Sequence, residues 1–103
     1  MESEKDTEIY LRKTIESLGG KCWKWSSPMV RGIPDRICFL PGIVFFVEVK
    51  SEGRTLDGAQ VRRAKDLEEL GQRCYMADSK AAVSQIIRKE IIQRELNNEM
   101  FLP

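Results

Sequence analysis

Apolar positions recur at helical spacing over residues 4–18, where Leu11, Ile15 and Leu18 mark one stripe and Gly19-Gly20 ends it. Glu4 and Glu8 fall on that same stripe, about two turns and one turn before Leu11. The period then drops to two. "KCWKW" alternates, with Trp23 and Trp25 on one face, as a strand does. "SSPMVRGIP" reads as a loop. Arg36–Leu40 and Ile43–Lys50 read as strands joined at Pro41-Gly42. After the polar loop "SEGRTLDG", residues 59–70 form a second helix with Ala64, Leu67 and Leu70 inward and Gly71 as its stop. "RCYMA" is a short strand. Asp78-Ser79 offers an N-cap to a long helix reaching about Leu96, with Val83, Ile86, Ile87 and Ile91 as its apolar stripe. The order α-β-β-β-α-β-α, with a helix between the third and fourth strands, predicts an α/β fold. Its small mixed sheet has a parallel crossover and flanking helices.

The totals narrow the class. A chain of 103 residues, 42% of them apolar, predicts one domain with a small core, spanning residues 1–103. No apolar run is long enough for a membrane span. The acidic start "MESEKDTE" is unlike a secretory or transit peptide, so the expectation is a cytoplasmic protein. Cys22, Cys38 and Cys74 lie at unrelated spacings, which fits reduced, packed thiols. With no His, a zinc site is disfavoured and any catalysis must use carboxylates, Lys or a metal. Seventeen basic against sixteen acidic residues give a net charge of +1, so a basic face requires segregated charges.

The hairpin "RGIPDRICFLPGIVFFVEVK" is where charge and pattern collide. If Leu40 pairs with Ile43 across Pro41-Gly42, then Phe39 faces Val44, Ile37 faces Phe46 and Asp35 faces Glu48. Opposed Cβ atoms stand roughly 4.5–5.5 Å apart, and Lys50 follows Glu48 on the same face roughly 7 Å along the strand. A bulge at the turn would shift this register by one. Two opposed carboxylates repel unless compensated, and a divalent cation such as Mg2+ or Mn2+ suits such hard oxygen ligands. That cation could lower the pKa of a water and neutralise phosphoryl charge, with Lys50 orienting the attack or stabilising the transition state. Glu8 on the first helix and Gln60, sharing a stripe with Ala64 and Leu67, are expected to point toward the same end. Read singly, each has an ordinary alternative: a turn Asp after Pro34, a charged edge strand, a first-turn acid, a solvated helix start. Trp23 and Trp25 are expected to be core residues rather than base-stacking platforms. Lys24, Arg31, Arg36, Arg54, Arg62 and Arg63 cluster about the proposed site, and with Ser27 they are candidate phosphate contacts.

"GIPDR", an apolar stretch, "VEVK", a polar loop and then Gln60 resemble the PD-(D/E)XK nuclease pattern. More narrowly, "EIYLRKTIESLGG", "SSPMVRGIPDR", "FFVEVK", "TLDGAQ" and "GQRCYMADSK" are similar, in that order, to a stand-alone VRR-NUC (virus-type replication-repair nuclease) domain of phages and prophages. The resemblance covers nearly the whole chain. It implies a restriction-endonuclease-like core. Asp35, Glu48 and the backbone carbonyl of Val49 would bind Mg2+ or Mn2+, with Glu8 acting through a metal-bound water and Glu4 as its one-turn alternative. Lys50 would be the catalytic lysine, and Gln60 would position Lys50 or the scissile phosphate. It further implies an endonuclease related to Holliday-junction resolvases, acting on branched or four-way DNA in a bacterial host. Such enzymes work as homodimers with two symmetric sites. The C-terminal helix, 79–98, with Ile92 and Leu96 off its first stripe, and the tail "NNEMFLP" are candidate dimer contacts. No organic cofactor is implied. The competing readings are a non-catalytic DNA-binding or assembly module and a flap, exonucleolytic or restriction-type nuclease.

Overall fold

The Pro41-Gly42 turn fixes the centre of the sheet. Gly42 takes φ +83°, as the third position of a Pro-Gly type II turn requires. No residue is inserted, so Leu40 pairs with Ile43, Phe39 with Val44, Ile37 with Phe46 and Arg36 with Val47. In this computed structural model, which describes residues 1–100 (the side chains of Glu99 and Met100 excepted), the elements follow the expected order. They are α1 (Glu4–Ser17), β1 (Lys21–Lys24), β2 (Arg36–Leu40), β3 (Ile43–Val49), α2 (Gly58–Glu69), β4 (Cys74–Ala77) and α3 (Lys80–Met100). The strands lie in the order β1-β2-β3-β4. The first three are antiparallel, and β4 runs parallel to β3 after the α2 crossover. Residues 101–103 of the tail lie outside the described residues.

Period 2 gives the sheet two unlike faces. Cys38, Leu40, Phe45, Val47, Val49 and Ala77 form one face and meet Leu11 and Ile15 of α1 and Val83, Ile86 and Ile87 of α3 in the core. Ile37, Phe39, Phe46, Glu48 and Met76 form the other, and α2 covers only its β4 side. Hydrogen bonds to the free N–H groups of the first turn set each helix start. Ser3 and Asp6 form a capping box on α1, Asp57 and Gln60 form another on α2, and the Ser79 hydroxyl accepts from the Ala82 N–H at 3.1 Å.

Four side chains depart from the sequence reading. The buried stripe of α1 runs through Thr7, Leu11 and Ile15, spaced by four, which leaves Glu8 on its flank. Leu70 is 76% exposed because it caps the end of α2, a helix with no fully buried residue. Trp23, expected in the core, is 57% exposed on the half-covered face. Glu90 lies inside the apolar stripe of α3, where both oxygens of its carboxylate share the Arg73 Nε–H and one also accepts from the Tyr75 hydroxyl. Cys22 and Cys38 are free, buried and paired across β1 and β2, with sulfurs 3.8 Å apart.

Candidate active site

Beyond Arg36 and Val47 the hairpin continues through side chains. The Asp35 N–H donates to Glu48 Oε1 at 3.1 Å, and the Val49 N–H donates to Asp35 Oδ1 at 3.0 Å. Each carboxylate thus caps the other strand's backbone, which fixes both groups with one oxygen each. On the other sides, the Trp25 N–H bonds the Asp35 carbonyl at 2.8 Å, and the Lys50 N–H bonds the Ala77 carbonyl at 2.9 Å. The pair therefore sits in a continuous sheet. Lys50 Nζ stands 3.9 Å from Glu48 Oε2, its side chain largely buried.

Electrostatics follow from this geometry. Burial, with the neighbouring Asp35 charge, pushes the Glu48 carboxyl up to about 7, and Lys50 offsets part of that. Burial also raises Asp35, helped by Glu4 and opposed by the bond from the Val49 N–H. Two adjoining carboxyls that hold protons too tightly mark a place short of positive charge. The donor set suits a hard divalent cation: one oxygen of each carboxylate is free of backbone bonds. Among the described residues no third Asp, Glu, His or Cys completes a protein-only cage. Mg2+ fits such a set, since it is commonly held by one or two carboxylates and keeps several waters. Val49, whose carbonyl is the third expected ligand, is anchored with its side chain wholly in the core.

The two first-helix acids are placed differently. Glu8 is ion-paired to Arg36 Nη2 and lies 3.9 Å from Lys24 Nζ. Its carboxylate is thus engaged by cations beside the buried face rather than by the carboxylate pair. Arg36, expected at the DNA surface, is buried in that pair, with 7% of its surface exposed. Glu4, one turn earlier, is exposed, and its charge bears on both Asp35 and Glu48. Glu4, Glu8, Lys24 and Arg36 all line a cleft of about 520 Å3.

An open cleft of about 390 Å3 lies over Asp35 and Glu48, bordered by Ser27, Arg31, Trp25 and Gln60. Gly32 brings that loop against α2. It has φ +83°, and a Cβ there would lie 2.3 Å from the Ala59 carbonyl oxygen. Gln60 is tied down by its capping box: its Oε1 accepts from the Asp57 N–H at 3.0 Å, which leaves its NH2 as a donor, and Gln60 lines the cleft together with Glu48. Arg62 and Arg63 join Arg31 in an adjoining cleft of about 520 Å3. Arg54 is exposed in the loop after β3 and lines neither cleft. Trp25 was missed as a lining residue, although its position opposite Asp35 follows from the β1–β2 register. The Asp57–Gln60 capping box was legible in the spacing of "DGAQ".

No family model matches the chain. A protein named "Putative nuclease p44", from Acyrthosiphon pisum secondary endosymbiont phage 1, is 36% identical over 77 residues, or 74% of this chain and 83% of its own length. A solved structure described as a VRR_NUC domain superposes with a TM-score of 0.77 at 28% identity, covering 84% of this chain and 97% of that one. No described helix is long and apolar enough to cross a membrane. With a relative alike over most of both lengths and a matching fold, the chain belongs to the VRR-NUC family.

Proposed function

We propose that the chain is a Mg2+- or Mn2+-dependent endonuclease that hydrolyses backbone phosphodiesters of branched DNA, as a resolvase-like homodimer in a bacterial host. The observation that carries this reading is the Asp35–Glu48 pair, each carboxylate locked by a backbone N–H and both holding protons too tightly, with Lys50 Nζ 3.9 Å away. Asp35, Glu48 and the Val49 carbonyl would hold the cation. When bound, it supplies Lewis-acid polarisation of the phosphoryl group and a lowered pKa for a coordinated water.

The remaining work falls to the chain itself. Lys50 sets a positive charge where the pentacoordinate phosphoryl group gathers negative charge. The Gln60 NH2 orients the scissile phosphate, and Arg31 and Arg62, with Ser27, receive flanking phosphates. Glu4, free of ion pairs among the described residues, is the better placed of the two first-helix acids to orient the water. Glu8 supports the site by holding Arg36. A four-way junction needs two symmetric cuts, which a twofold dimer supplies. Ile92 and Leu96 of α3, 57% and 50% exposed, are its candidate contacts.

The test is a cleavage panel of four-way junction, flap and linear duplex with Mg2+ or Mn2+, beside a mass measurement in solution. Cutting of the junction at paired positions is expected, lost in Asp35→Asn while junction binding persists. A protein that binds but leaves every substrate uncut with either metal would instead be a non-catalytic DNA-binding module.

A further inference from the structure

The β1–β2 register that sets Trp23 opposite Ile37 also sets Trp25 opposite Asp35, and the Trp25 N–H bond to the Asp35 carbonyl secures it. Trp25, Asp35 and Glu48 therefore form one transverse row on the half-covered face. Adjacent strands stand about 4.8 Å apart, so the indole lies one strand spacing from the carboxylate pair. Trp25 borders the same cleft as Asp35 and Glu48. Each indole has a phenyl neighbour on the same face of the sheet: Trp25 meets Phe46 and Trp23 meets Phe39, each at 5.1 Å between centroids. Trp23 nevertheless keeps 57% of its surface in solvent. Trp23 is the open indole and Trp25 the one that borders the cleft, so together they offer a planar apolar partner two neighbouring rings on which to stack.

We propose that Trp23 and Trp25 are a stacking shelf for unpaired nucleobases next to the cut, so that the chain reads single-stranded nucleotides at the branch. The proposal deepens the nuclease reading and rests on it. Charge selects a nucleobase over a second copy of the chain as the occupant. β1 is a four-residue edge strand whose Lys21, on the same face as Trp23, and Lys24, on the other face beside Glu8, are both exposed. Edge lysines discourage strand pairing with another protein but attract phosphates. Duplex bases hide their faces in the stack, whereas unpaired bases present them to any aromatic platform.

Trp23 and Trp25 are the protein's two tryptophans, so intrinsic indole emission reports from the shelf alone. Titrations use the full chain carrying Asp35→Asn, so that DNA is bound and not cut. A junction with unpaired nucleotides, or a single strand, is expected to quench the emission more than a blunt duplex of equal charge. Trp23→Leu and Trp25→Leu should each weaken binding of unpaired DNA roughly tenfold and of blunt duplex by no more than about twofold. Trp25→Phe keeps a ring and should retain the preference. It also serves if circular dichroism shows that the Leu variant fails to fold. Equal quenching by the two DNAs, or equal losses for both in the variants, overturns the proposal. So does a mass in solution that halves in Trp23→Leu, which would give the shelf to a second copy. Because no cleavage is read, the shelf can fail while the wild type cuts, and cutting can fail while the shelf binds.

Discussion

At the scale of single residues, Glu48 makes the site's needs measurable. Its folded pKa of about 7 lies above the ordinary 4.5, so between those values the folded chain keeps a proton that the unfolded chain has released. Stability contributed by this group is therefore lost as pH rises through that window. In metal-free protein, Glu48→Gln should gain on the wild type from below pH 4.5 to above 7, by at most ~3 kcal/mol in urea unfolding. A difference that stays flat with pH would remove the argument. Mn2+ at pH 8 should raise the melting temperature of the wild type and not of the variant. The first-helix acids divide in the same way. Glu8→Gln strips a buried guanidinium of its charged partner, with an expected cost of about 3 kcal/mol. Glu4→Gln should change stability by less than ~0.5 kcal/mol yet slow cutting. If the two variants exchange these effects, Glu8 and not Glu4 is the working acid. Asp35, Glu48 and Lys50 were legible in the sequence because a two-residue turn and a period of two leave little freedom. Glu8 was misplaced because a stripe through Leu11 and Ile15 can extend backwards by three or by four. The structure chose four, at Thr7.

At the scale of elements, the hairpin was readable and the loop before it was not. Nothing in "SSPMVRGIP" announces that the Gly32 backbone lies against the first turn of α2, since that contact joins segments nearly thirty residues apart. Yet this contact walls the cleft over the carboxylates. Gln60 links the helix to the cleft, because its carbonyl holds the helix start while its NH2 remains a donor in a residue that lines the cleft with Glu48. Gln60→Glu separates these roles. A glutamate satisfies the capping box as well as a glutamine does, but it offers no donor and adds negative charge. Stability within about 0.5 kcal/mol of the wild type, with cleavage at least ~10-fold slower, is the expected result. Cleavage unchanged in a gel time course would mean that Gln60 serves α2 alone. The same logic explains why α2 lacks a buried residue: it walls a site rather than sealing a core.

At the scale of the whole molecule, the two faces of the sheet divide labour. The face under α1 and α3 is closed and apolar, and the other is left half open for the cleft. Net charge of +1 gives no general attraction for DNA, so under the proposed function the segregation of Arg31, Arg62 and Arg63 beside the cleft would have to supply what composition lacks. The Glu90 cluster works at the opposite end. Arg73 also donates to the Val44 carbonyl, four residues before Glu48, or roughly 13 Å along β3. The cluster thus ties α3 to the rigid end of the strand whose other end holds the carboxylate. Spacing alone puts Glu90 on the stripe, four residues after Ile86 and three after Ile87, but the partners that make its burial possible, Arg73 and Tyr75, lie outside the helix and are joined to it only by the fold. Arg73→Met leaves the Glu90 carboxylate, 1% exposed, with the Tyr75 hydroxyl as its remaining partner. Stranding a buried charge costs about 3 kcal/mol or more, a drop in Tm on the order of 10–20 °C for a domain of this size. Adding Glu90→Met removes the stranded charge and should recover most of the loss, since apolar replacement of both partners is often neutral. Junction cleavage, measured well below the lowered Tm, should match the wild type in both variants. A loss of cutting by folded Arg73→Met that the double variant restores would instead mean that strain in the cluster is transmitted along β3 to Glu48.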